Sequence, residues 1–143
     1  MTSLPTPEVP RLQHVGNLVV QVGEPLEVVT SDSSVRRAVP VLGGTMSGEI
    51  GEGVILSGWD YQEVLPNGAI QIDATYPVRL TTEEIVTVNT TGIRFERGDA
   101  VPYFRLLVTI SRPAKDPQAP QPILVAVGHR EAGTVLVEVY RLT

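Results

Sequence analysis

The stretch Gly58-Trp-Asp-Tyr-Gln-Glu-Val-Leu-Pro-Asn-Gly-Ala-Ile-Gln-Ile-Asp-Ala-Thr-Tyr76 decides how this chain folds. Asn67-Gly68 in its middle is a strong signal for a two-residue type I′ turn, because both residues accept positive φ. With that turn, Pro66 faces Ala69, Gln62 lies opposite Asp73, and Asp60 lies opposite Thr75. Side chains alternate along a strand, so one face carries Trp59, Tyr61, Leu65, Ile70, Ile72, Ala74 and Tyr76. The other carries Asp60, Gln62, Gln71, Asp73 and Thr75. Asp60 and Asp73 become diagonal neighbours about 7–8 Å apart, a spacing that suits two carboxylates working on one bound molecule. The same pattern also describes the wet face of an antiparallel sheet whose other side is the core.

Working outward, the 143 residues make one domain, long enough to bury about two-thirds of its unfolded surface. There are no cysteines, which excludes disulfides, thiolate metal sites and a cysteine nucleophile, and fits a reducing cytoplasmic setting. The formal charge of −5 argues against nucleic acid or an anionic membrane surface as partner. No apolar run approaches the 18 or so residues of a membrane-spanning helix. Residues 1–11 are proline-rich, without the basic end and apolar stretch of a signal peptide, and are expected to form a flexible lead-in to a domain over residues 12–143.

Thirteen glycines and twelve prolines leave little room for long helices, and valine, isoleucine and threonine dominate between them. Strands are expected over Leu12–Val22 and Leu26–Thr30, joined at Gly23-Glu24-Pro25. Val54–Leu56, the central hairpin, Ile85–Thr91, Tyr103–Ile110, Ile123–Val127 and Thr134–Leu142 follow. Ile123–Val127 is apolar on both faces and should be central. Arg94–Val101 reads as a charged loop, and Ser111–Pro122 as an exposed, mobile one. An even-length loop at Thr81–Glu84 would put Asn89 on the Tyr76 face, and a bulge near Pro77 would move it to the Asp73 face. Eight to ten short strands without crossover helices imply an antiparallel sandwich or a closed barrel.

A series of short motifs occurs in order: Arg36-Arg37, Gly43-Gly44-Thr45 with Gly48, Gly58-Trp59-Asp60, Gly68 with Ile72-Asp73-Ala74-Thr75-Tyr76, Asn89 with Gly92-Ile93-Arg94, and Tyr103-Phe104-Arg105. The series resembles the family known as domain of unknown function 3237, over roughly residues 12–142. That resemblance implies a closed antiparallel β-barrel, similar to allene oxide cyclase and the calycins, with a ligand-sized lumen. Family members carry Trp-Leu-Asn before the penultimate strand, where this chain has Gln121-Pro122-Ile123-Leu124.

In a barrel, an inward row of Asp60, Gln62, Asp73 and Thr75 would be costly unless hydrogen-bonded or matched by a ligand. Arg105 stands alone in an apolar strand and is the natural counter-charge. It would lower one carboxylate's pKa while burial and like charge raise the other's, giving a base and an acid in one pocket. The expected catalytic groups are therefore Asp60, Asp73 and Arg105. The expected ligand-binding groups are Arg36, Arg37, Tyr61, Gln62, Thr75, Asn89 and Tyr103. The arginine pair would hold a carboxylate or enolate, and Tyr61 or Tyr103 would donate a proton. The common alternative for Arg36-Arg37 is a solvated pair. The two histidines, His14 and His129, are isolated, so no metal and no cofactor is expected. The function expected is acid–base chemistry on a small organic ligand by a cofactor-independent lyase, isomerase, cyclase or hydrolase. The alternative is a carrier for a small apolar ligand, and a homo-oligomer is compatible with either.

Overall fold

Apolar and polar residues alternate along most of the chain, and in the computed structural model this period becomes the inner and outer walls of one closed sheet. The structure describes residues 3–30, 34–112, 118 and 120–143. Among the described residues ten strands follow one another: β1 Leu12–Val22, β2 Leu26–Val29, β3 Val35–Gly48, β4 Gly53–Ile55, β5 Gly58–Val64, β6 Ile70–Leu80, β7 Ile85–Arg97, β8 Ala100–Ser111, β9 Leu124–Glu131 and β10 Thr134–Leu142. From β5 to β10 each strand pairs antiparallel with the next. β10 then pairs β1, and β1 pairs β3, which closes the ring. The result is a closed eight-stranded antiparallel barrel with two extra strands.

The extra strands are continuations. β4 and β5 lie end to end between β3 and β6, interrupted at Leu56-Ser57. β2 carries on beyond β1 along β3, so Gly23-Glu24-Pro25 is a break in a strand, not a reversal. As expected, β9 is central, paired on both sides. The expected charged loop at Arg94–Val101 is a correction: β7 runs to Arg97 and the reversal is confined to Gly98-Asp99. Half of the loop expected at Ser111–Pro122, residues 113–117 and 119, lies outside the described residues.

The central hairpin differs from its sequence reading in one decisive residue. Pro66 has no N–H to give Ala69, which a two-residue loop requires at that position. Leu65 donates to Ala69 O at 2.8 Å instead, and Gly68 N donates to Leu65 O at 2.9 Å. The loop thus has three residues, with Gly68 in the left-handed region at φ 87° and Asn67 outside it. This is the turn-plus-bulge hairpin, in which Pro suits the first turn position. The register becomes Asp60↔Ala74, Tyr61↔Asp73 and Gln62↔Ile72, and a shift of one residue sends one strand's set to the other face. Asp60 and Asp73 are therefore on opposite walls.

Inside, the barrel is divided along its length. Leu18, Met46, Ile55, Tyr76, Val78, Val86, Val88 and Val139 fill one end almost without exposure, and each such side chain contributes roughly 1.5–3 kcal/mol. The other end, where β3 begins and β7 finishes, carries the polar groups.

Candidate functional site

Five inward positions define the polar end. Counting in twos along β7 from Val86 and Val88 passes Thr90 and Gly92 and arrives at Arg94. Counting along β9 from Ala126 passes Gly128 and arrives at Arg130. Arg37 lies on the inner face of β3 and pairs across to Gln62, while Asp60 is two residues from Gln62 on β5. Asp60, Gln62, Arg94 and Arg130 line one small void with Ile72 and Phe104. Its volume is about 20 Å³, enough for about one water molecule or the tip of a ligand.

The hydrogen bonding of this void is incomplete. Gln62 Nε2 donates to Asp60 Oδ2 at 2.8 Å. Asp60 Oδ1, Gln62 Oε1 and Arg37 Nε are buried without a hydrogen-bond partner. Arg37 Nε lies 3.4 Å from Glu27 Oε1, close enough for attraction but not aligned for a hydrogen bond. Two orphaned acceptors side by side call for donors from outside the chain, since each costs about 1–3 kcal/mol if left unmet.

Burial pushes the Asp60 carboxyl up to about 6 from 3.8, and Asp73 adds a smaller rise through the sheet. Its hydrogen bond to Gln62 and the charges of Arg130 and Arg94 hold it from rising further. Below it, Tyr76 is raised by burial and then by Asp60's charge. Burial lowers the pKa of Arg94, and the neighbouring Arg130 and Arg37 charges lower it again.

A larger recess adjoins this void at the side of the barrel and shares Arg94, Phe104 and Arg130 with it. β8 and β9 pair only from Arg105↔Val127 to Val108↔Leu124. Beyond Arg105 they part, and a recess of about 220 Å³ lies between Pro102 and Phe104 on one side and Gly128, His129 and Arg130 on the other, with Arg94 and Glu96 behind. Gly128 is required there: a Cβ would fall 2.7 Å from the Phe104 ring. Arg94 lies 5.8 Å from the centre of that ring.

The other expected site residues are on the outer wall. Asp73 and Thr75 face outward and are tied to Asn89, whose Nδ2 is 3.0 Å from Asp73 Oδ1 and 2.9 Å from Thr75 Oγ1. Asn89 takes that face because the β6–β7 loop also has three residues, Leu80 N bonding Glu84 O. Arg105 is not the counter-charge of the lumen. It turns outward, 5.0 Å from the Tyr103 ring, and Arg94 and Arg130 stand where it was expected. Tyr103 stacks on Phe95 outside the barrel, and Tyr61 on Trp59. Arg36 and Tyr61 line an outer groove with Asp73 and Ile93. Among the described residues no group of three or more His, Asp or Glu side chains is placed to hold a metal ion, and no helix is long and apolar enough to cross a membrane.

Known proteins share this barrel. A protein from Bradyrhizobium diazoefficiens described as UPF0311 protein blr7842 is 27% identical over 91% of this chain and 95% of its own. The crystal structure of the conserved protein of unknown function RPA1785 from Rhodopseudomonas palustris superimposes with a TM-score of 0.85 at 26% identity, covering 96% of this chain and all of that one. An enzyme from Penicillium herquei has the same fold, with a TM-score of 0.76 at 17% identity over the whole of both chains. The family model described as protein of unknown function DUF3237 matches residues 10–116, and the chain belongs to that family.

Proposed function

We propose that the polar end of the lumen binds a small organic molecule and that Asp60 transfers a proton on it, without a cofactor. The observation that carries this reading is the pair of orphaned acceptors, Asp60 Oδ1 and Gln62 Oε1, in residues lining a small void that shares Arg94, Phe104 and Arg130 with an open recess. A carboxyl group raised to about 6 is divided between its acid and base forms near neutral pH, as proton transfer in both directions requires.

A ligand hydroxyl or acidic C–H would approach Asp60 Oδ1. The carboxylate takes that proton, and the electron pair left behind adds to a double bond of the ligand, shifts within it, or expels a leaving group. The proton then returns to another ligand atom, so nothing is consumed, and an isomerisation, cyclisation or elimination is the natural outcome. Gln62 Nε2 holds Oδ2, which leaves Oδ1 as the working oxygen, while Gln62 Oε1 accepts a second hydrogen bond from the ligand. The surrounding guanidinium groups stabilise the negative charge that develops. That the Penicillium herquei protein is an enzyme supports catalysis in this fold by analogy alone.

The test is a screen of small hydroxylated compounds by thermal shift, followed by turnover of the binders. Asp60→Asn should bind within a few-fold and lose at least 100-fold in turnover. Unchanged turnover rules the proposal out, and binders that no version of the protein converts would leave a carrier of the same fold.

A further inference from the structure

We infer that the recess between β8 and β9 is an anion subsite, in which Arg94 and Arg130, backed by Arg37, hold the carboxylate or enolate end of a one-ring ligand. The inference rests on the lumen reading above and names the class of molecule it takes.

Three guanidinium groups converge on one end of a chain whose net charge is −5. Among the described residues, Arg94 and Arg130 make no ion pair, whereas Arg37 is drawn toward Glu27. Glu96 in the recess and Asp60 in the adjoining void offset part of the charge. Both arginines reach the void that Gln62 closes, and Gln62 is 7% exposed with its Oε1 unpartnered. The recess thus offers cations without an ion pair, and the void that shares them offers unmet acceptors. A ligand complementary to both carries an anionic end and, roughly one ring away, a hydrogen-bond donor. Guanidinium groups suit such an anion because they present paired donors in a plane.

Size and lining narrow it further. A recess of about 220 Å³ is smaller than the roughly 300–1,000 Å³ of drug-sized sites. The Phe104 ring forms one wall, and Arg94 lies over its face, so a flat ring fits better than a flexible chain.

The test compares a panel of one-ring hydroxycarboxylates, beginning with 4-hydroxybenzoate, with the matching neutral amides by calorimetry at low and moderate salt. The acids should bind at least tenfold tighter than their amides and weaken as salt is raised. Arg94→Gln and Arg130→Gln should each weaken acid binding about tenfold or more, with little effect on the amides. Arg130→Lys, which keeps the charge, should recover part of the loss and shows that the fold survives the change. Equal binding of acids and amides, no binding by any acid, or unchanged affinity in both glutamine variants overturns the inference. Asp60→Asn should keep or tighten acid binding, so a failure of proton transfer at Asp60 does not remove the clamp. Neutral phenols that bind and turn over while acids do not would overturn the clamp and leave Asp60's role standing.

Discussion

Gln62 Nε2 holds Asp60 Oδ2 at 2.8 Å, and one oxygen of each side chain is left buried without a partner. Because Asp60 is buried, its charge opposes folding. Below about pH 3.8 the carboxyl is protonated in both the folded and unfolded states, and contributes no pH dependence. Between 3.8 and about 6 the unfolded chain releases the proton and the folded chain keeps it, so stability falls as pH rises. Above about 6 the loss is complete, on the order of 3 kcal/mol. Asp60→Asn removes this dependence. The stability of the natural protein relative to the variant should therefore drop by about 2–3 kcal/mol between pH 4 and pH 7. Urea unfolding of both proteins across that range checks it, and a constant difference contradicts the burial argument.

The two three-residue loops make a paired prediction. Gly68 has φ 87°, and a Cβ there would meet nothing within 4 Å. Gly68→Ala should cost about 1 kcal/mol through backbone conformation alone. Glu83 holds φ 72° in the equivalent position of the other loop, as the one described non-glycine residue with positive φ. Glu83→Gly should relieve that strain and raise stability by about 0.5–1 kcal/mol. Chemical denaturation of the two variants reads opposite signs if the loops are built as described.

These loops also explain what was legible in the sequence. The strands, their antiparallel order and barrel closure follow from period-two alternation broken by Gly and Pro, and from the ordered motifs shared with the family. The direction in which the central hairpin points does not, because it depends on whether Asn67-Gly68 or Pro66-Asn67-Gly68 forms the loop. The missing N–H of Pro66 carried that information. A loop one residue shorter would bring Asp73 inward beside Asp60 and put Trp59 on the Tyr76 face. Arg94 was hidden for another reason: a run of charge reads as a loop, although the alternation from Val86 continues through it. Arg130 had a similar signal in the alternation through Ala126 and Gly128, spaced to reach the lumen only once β9 was extended to Glu131.

Gly128 is where space for the recess is made. An alanine there would place its Cβ 2.7–2.8 Å from three carbons of the Phe104 ring. The ring is 5% exposed, so it can yield only by turning into the recess. Gly128→Ala should cost about 1–3 kcal/mol and weaken any ligand of the recess by tenfold or more. Melting and binding measured on the same preparation separate these effects, and full affinity in a stable variant would place the ligand elsewhere.

Asp73 supplies the matching control on the outer wall. Its carboxylate meets the Asn89 side chain, whose Nδ2 also lies 3.0 Å from Ala74 O and 2.9 Å from Thr75 Oγ1. Asp73→Ala removes one of these exposed contacts and leaves the amide with the other two. The expected cost is at most about 1 kcal/mol, with ligand affinity and turnover unchanged within about twofold. Asp60→Asn, two residues from Gln62 on the inner wall, should do the reverse, sparing stability at neutral pH and abolishing turnover. The outcome depends on the β5–β6 register, Tyr61↔Asp73 and Asp60↔Ala74. A turnover loss in Asp73→Ala comparable to that of Asp60→Asn would mean that both carboxylates act on one ligand, which this register does not allow.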